Sequence, residues 1–217
     1  MDRDVASAVT RLREVFARYP RRPVLEGCPH CRGRVPVDEE HLFELSMRLG
    51  GTVGTLDDIK ALLPLLAERL VTGHELFPAT VLGLLAREGL AHWPDAERDA
   101  VEDWLMAVWR SMLAGFPARV GGFGDVADFL DDVARLMDPG PFLDTWDGLR
   151  SLEVDRHLAG LVAAWARGAR LPAAALAWLG RDAVRDRLHA AFERDHDTVW
   201  AGDLAVAYDL LAVRPCR

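Results

Sequence analysis

Apolar residues recur every third or fourth position along almost the whole chain, and strand-like alternation is nearly absent. Val5, Val9, Leu12, Val15, Phe16 and Tyr19 make the first such stripe, with arginines between them. The spacing predicts an amphipathic helix that ends at Tyr19-Pro20, because proline disfavours helical geometry in the residue before it. Residues 20–37 carry Pro23, Gly27, Pro29, Gly33 and Pro36 and no period, and read as a loop longer than the ~12–15 residues at which structureless loops become uncommon. A second helix is expected from near Asp38, with Leu42, Leu45 and Leu49 inward and Gly50, Gly51 and Gly54 ending it. Thr55 stands where an N-cap would, before Leu56-Asp57-Asp58 and a stripe of Ile59, Leu62, Leu63, Leu66 and Leu70. Pro64 inside that stripe predicts a kink or a break into two helices.

Further on, Pro78 opens a helix to about Arg87, and Pro94 opens the longest one, with Val101, Trp104, Leu105, Val108, Met112 and Leu113 on one side. Gly115 and Pro117 stop it, and Gly121-Gly122-Phe123-Gly124 reads as a turn or hinge. Helices follow near 125–137, 151–167, 172–179, 181–194 and 199–212. The expected fold is all-α: ten to twelve short helices packed as antiparallel hairpins, a bundle or short α-solenoid, in one domain over 1–217 with a subdivision near 115–124. The stripes Leu56–Leu70 and Val126–Leu136 echo each other, each with paired aspartates near its start, but do not establish a repeat protein.

Composition narrows the class. The chain has 217 residues and a net charge of −8, which argues against a general nucleic-acid binder. The charge is uneven: residues 1–34 hold eight arginines against four acids, and the remainder is strongly acidic. The basic end can meet an acidic partner or the protein's own acidic body. Three cysteines suit a reducing cytoplasm, no apolar stretch approaches the roughly 20 residues of a bilayer span, and no secretory leader is recognisable. Lys60 is the one lysine among the basic residues.

The sharpest local signal is Cys28-Pro29-His30-Cys31. Redox chemistry would need a strand before the pair and a helix starting at it, and Gly33 and Pro36 follow instead. The other reading is a zinc knuckle, with Cys28, Cys31 and His41 as ligands and His74, Cys216 or a carboxylate as the fourth. Reduced thiols packed as small apolar groups are the plain alternative. Glu153/His157 and His189/Glu193 share helix faces and read as surface pairs. Asp99/Asp103, Asp128/Asp132 and Asp182/Asp186 have the spacing that holds magnesium on diphosphates in helical enzymes, yet chance produces nearly as many, so they read as solvated acidic faces. The seven tryptophans read mainly as core, with a partner groove as the rival. No phosphate loop or nucleophile elbow is present.

Tyr19-Pro20, then Cys28-Pro-His-Cys31, an acidic helix and Asp57-Asp58-Ile59-Lys60-Ala-Leu-Leu-Pro64 together resemble an arrangement in uncharacterised all-helical bacterial proteins with an N-terminal C-x-x-C loop. The resemblance covers about residues 19–70 and extends loosely through 94–114. It implies a helical fold and supplies no catalytic residues. The functional expectation is a non-enzymatic cytoplasmic interaction, adaptor or immunity-like regulatory module that binds another protein. A zinc-stapled metalloprotein or enzyme using the cysteine loop is the alternative, and a weak nucleic-acid binder using the arginine-rich end is the second alternative.

Overall fold

Caps and buried stripes turn the periodic sequence into helices. The computed structural model describes residues 1–27, 33–38 and 41–213, and in these residues eleven α-helices and one two-stranded hairpin form, so the fold is an all-α array. They make up two compact units. The first contains Met1–Val108 and Val120–Phe123; the second contains Trp109–Arg119 and the chain from Gly124 onward.

In the first unit, α1 (Arg3–Phe16) is capped by Asp2, whose carboxylate accepts from Asp4 N at 3.3 Å, and it buries Val5, Val9, Leu12 and Phe16 at helical spacing. It packs on α3 (Leu56–Thr72). Thr55 and Asp58 close a capping box at the start of α3, as the sequence predicts. Pro64 does not break this helix: α3 runs through it unbroken, so of the two expected outcomes the break does not occur. An interior proline costs about 3 kcal/mol. Eleven of the helix's 17 residues are buried, Pro64 among them. At about 1.5–3 kcal/mol for each fully buried leucine, that burial outweighs the missing hydrogen bond.

The stretch 20–37 is the second correction. Instead of a loop it contains a hairpin, β1 (Val24–Glu26) antiparallel to β2 (Arg34–Pro36), with Leu25 opposite Val35. Val37 N→Pro23 O (2.8 Å) and Gly27 N→Gly33 O (2.7 Å) extend the ladder. Three-residue strands are too short for alternation to register, and only Leu25 turns inward. A bridge between Gly27 and Val53 ties the hairpin to the turn ahead of α3. The rest of the unit is α2 (Leu42–Arg48), α4 (Pro78–Arg87), a 3-10 turn at Leu90–His92, and α5 (Asp95–Leu113) as far as Val108.

The second unit takes the last residues of α5, then α6 (Val126–Ala134), α7 (Gly140–Gly148), α8 (Leu152–Ala166), α9 (Ala173–Leu179), α10 (Asp182–Asp195) and α11 (Ala201–Val213). Its core is aromatic. Trp109 stacks on Phe129 at 4.9 Å and meets Trp146 edge-on at 5.3 Å, and Trp146 lies 5.0 Å from Trp178. Helices α8, α10 and α11 pack on one another. Helix α7 falls between 137 and 151, where the apolar period predicts no helix and Pro139, Pro141 and Gly148 read as punctuation. Proline in a first turn gives up a hydrogen bond that a helix start never makes, so the same residues open a helix.

Candidate functional site

The basic N-terminal stretch spends much of its charge inside the first unit. Arg11 pairs with Asp103 at 2.8 Å, Arg13 with Glu68 at 2.5 Å, Arg18 with Glu97, and Arg22 with Asp58. Of the two destinations open to this positive end, the protein's own acids take these four guanidiniums. Glu97 is fully buried. It accepts from the Tyr19 hydroxyl at 2.7 Å and from Arg18, and its other oxygen lies 2.8 Å from Lys60 Nζ, close enough for an ion pair but not aligned as a hydrogen bond. Lys60 also sits over the ring of Trp93 at 4.5 Å. The single lysine is thus consumed as a structural cation, held by the Glu97 carboxylate, the Tyr19 hydroxyl and the rings of Trp93 and Tyr19.

Alongside this cluster, α1, the segment after it and α3 border a groove of about 520 Å³. Phe16, Ala61, Pro64 and Leu65 supply an apolar lining. Arg13, Arg21, Arg69 and Glu68 supply charge, and Tyr19 links the groove to Glu97. No sequence signal pointed to it. Its cations come from two helices and a connecting stretch, and only packing brings positions 13, 21 and 69 together. Elsewhere on the unit, Phe43 and Phe77 meet edge-on at 5.6 Å and both are exposed, as is Met47.

Of the expected zinc ligands, Cys28 and Cys31 lie outside the described residues, as do His30 and Cys216. His41 precedes α2, and its Nδ1 lies 2.9 Å from Asp38 Oδ2. Together with Arg34 and Glu44 these two residues line a small recess of about 180 Å³. Among the described residues no group of three or more His, Cys, Asp or Glu is arranged to hold a metal ion.

Other residues depart from their sequence reading. His157 is not a surface partner of Glu153: it is buried, and its Nε2 lies 2.8 Å from Gly115 O and 3.1 Å from Met112 O. With two carbonyls as acceptors Nε2 must carry the proton, so the ring caps the C-terminal end of α5. Burial lowers its pKa, against the pull of those two carbonyls. Asp132 is not solvated either. Burial raises its carboxyl to about 6; Arg135 opposes the shift, and Asp131 and Asp128 add to it. Trp93, Trp104, Trp109, Trp146 and Trp178 are core residues, and Trp165 and Trp200 are half-buried. Among the described residues no helix is long and apolar enough to cross a membrane.

Compared with known proteins, the chain matches no family model, no curated protein and no solved structure.

Proposed function

We propose that this chain is a non-enzymatic interaction module of the cytoplasm, an adaptor or immunity-like regulator, whose α1–α3 groove receives an acidic, amphipathic segment of a partner protein. The observation that carries this reading is the gathering of the guanidiniums of Arg13, Arg21 and Arg69 in one concavity, over a small apolar base at Phe16, Pro64 and Leu65. Apolar side chains of a bound helix or strand would fill the floor. Its carboxylates would meet the arginines, whose planar forks match carboxylate geometry. Arginine with buried aromatic neighbours is also the composition of interface hot spots.

The test uses fluorescent amphipathic peptides, one acidic and one with its acids replaced by lysine, followed by anisotropy. The acidic probe is expected to bind, and to weaken about tenfold when salt rises from about 50 to 300 mM. The charge-reversed variant Arg21→Glu/Arg69→Glu is expected to abolish that preference. Equal binding of both peptides overturns the reading. So does a loss of binding in Phe77→Asp with none in the arginine variant, which would move the site to the Phe43–Phe77 face.

A zinc-stapled hairpin is the second reading, favoured by the antiparallel ladder that brackets the Cys28–Cys31 segment in sequence. Stoichiometric zinc in the purified protein, lost on Cys28→Ser, would support it. Nucleic-acid binding is the least supported, since four of the N-terminal arginines already face carboxylates.

A further inference from the structure

A separate cavity of about 370 Å³ lies within the second unit, along α8 and the start of α11. That volume is in the lower part of the range of about 300–1,000 Å³ typical of small-molecule sites. Arg156 is its central feature. The guanidinium lies 4.1 Å from the centre of the Phe116 ring and 4.9 Å from that of Trp200, between two aromatic contacts. Arg156 feels Glu153 through space but makes no salt bridge among the described residues. This sets it apart from Arg187 and Arg194 of the same unit, both bonded to Asp155. A guanidinium seated over aromatic rings can still turn an N–H edge toward a ligand and bind a carboxylate through two hydrogen bonds.

The remaining lining limits what else the ligand can be. Ala159, Ala163 and Leu204 make an apolar wall, and Gly160 leaves open space where a side chain would stand. Arg167 lies at the far end, three helical turns or about 16 Å from Arg156 along α8. Asp203 also lines the cavity. Two cations and one acid leave a single net positive charge, which matches a monoanion and disfavours a dianion such as a phosphate ester.

The geometry points to a binding site for a small monocarboxylic acid with an apolar body, its carboxylate on Arg156 and its body over Ala159, Gly160 and Ala163. The inference is independent of the groove in the first unit and survives if that groove binds nothing.

The probe is 3-phenylpropionate, added to 15N-labelled protein, with its neutral amide and phenyl phosphate as comparisons. The Trp200 indole N–H is the reporter, assigned through Trp200→Phe. It is buried and makes no hydrogen bond of ordinary geometry, although it lies close enough to Asp195 to assist Arg194 in lowering that carboxyl. The carboxylate is expected to shift this signal saturably and to bind at least about tenfold tighter than the amide. Arg156→Met removes the charge, and Gly160→Leu fills the floor from a helix position with room for it; each is expected to weaken binding about tenfold. Should Arg156→Met fail to fold, Gly160→Leu decides alone. No saturable shift up to about 10 mM overturns the site. So do an amide that binds as well as the acid, a phosphate ester that binds better, or a folded variant that binds like the parent.

Discussion

Helices α3 and α6 both begin after a bridged glycine turn and a side-chain cap, and then treat their acids in opposite ways. Before each lies a glycine turn closed by a bridge, parallel between Leu49 and Val53 and antiparallel between Val120 and Phe123, with a positive φ of 71° at Gly50 and 53° at Gly121; Gly54, just before the α3 cap, adds another at 75°. Each turn is followed by a side-chain cap, Thr55 or Asp125, and then by the helix. The resemblance ends inside the first two turns. Asp58 is buried, and burial alone would raise its carboxyl. Hydrogen bonds from Arg22 and Thr55 outweigh that and bring it below the ordinary value. Asp132 is also buried but has one long contact to Arg135, 3.4 Å, and two aspartates nearby, so it is raised to about 6. A shared start therefore does not determine electrostatics, which depend on whether a cation from another element arrives. For Asp58 it comes from Arg22, 36 positions earlier in the chain.

The sharpest way to break the parallel is at the glycines. A methyl group at Gly121 would stand 2.1 Å from the carbonyl oxygen of Leu70, a backbone atom that cannot swing aside. At Gly50 the nearest atoms, 2.7 Å away, are the ends of the Glu88 and Leu84 side chains, which can. Gly121→Ala should therefore cost about 3 kcal/mol or more and Gly50→Ala about 1–2 kcal/mol, read from urea unfolding. Equal losses would mean that the two turns are equally constrained.

Next comes Asp58→Asn, which takes the charge from a buried carboxylate that serves both the capping box and Arg22. A loss of about 2–3 kcal/mol at neutral pH is expected. Because the folded pKa is lowered, this stability is present above the unfolded value of about 3.9 and disappears as pH falls through the folded pKa. The loss in Asp58→Asn should shrink accordingly in acid.

Asp132→Asn should do the reverse. With a folded pKa near 6, the folded protein binds this proton more tightly than the unfolded chain. The stabilisation is complete below about pH 3.9 and is lost as pH rises through about 6, leaving a charged buried carboxylate at neutral pH. The substitution is expected to stabilise the protein by about 1–2 kcal/mol at pH 7.5, allowing for solvent near Arg135, and by nothing measurable near pH 4. Thermal melts at the two pH values check the sign. The smallest effects belong to the caps: Thr55→Ala and Asp125→Ala should each cost about 1 kcal/mol, and similar values would uphold the equivalence of the two helix starts.

Much of the helical array was legible because its signals are local. Thr55, Pro78 and the Gly115–Pro117 stop each act on backbone groups a few residues away. The failures follow from the same fact. Pro64 broke no helix because its neighbours are buried by other elements, and α7 hid behind prolines that suit a helix start as well as a turn. The hairpin strands at Val24–Glu26 and Arg34–Pro36 are too short to show a period. His157 and Asp132 looked solvated because an i, i+4 spacing says which face residues share, not what covers that face.

The sequence by itself determined the all-α class, the helix caps and most of the apolar stripes, because these depend on contacts within a turn or two of chain. Only tertiary structure decided which groups each charge meets. It set Glu97 against Lys60, Tyr19 and Arg18, gathered Arg13, Arg21 and Arg69 around one groove, and set Arg156 over the rings of Phe116 and Trp200. The reason is range: hydrophobic period and capping are properties of neighbouring residues, whereas the partner of a charge is whichever distant element packing brings within a few ångströms.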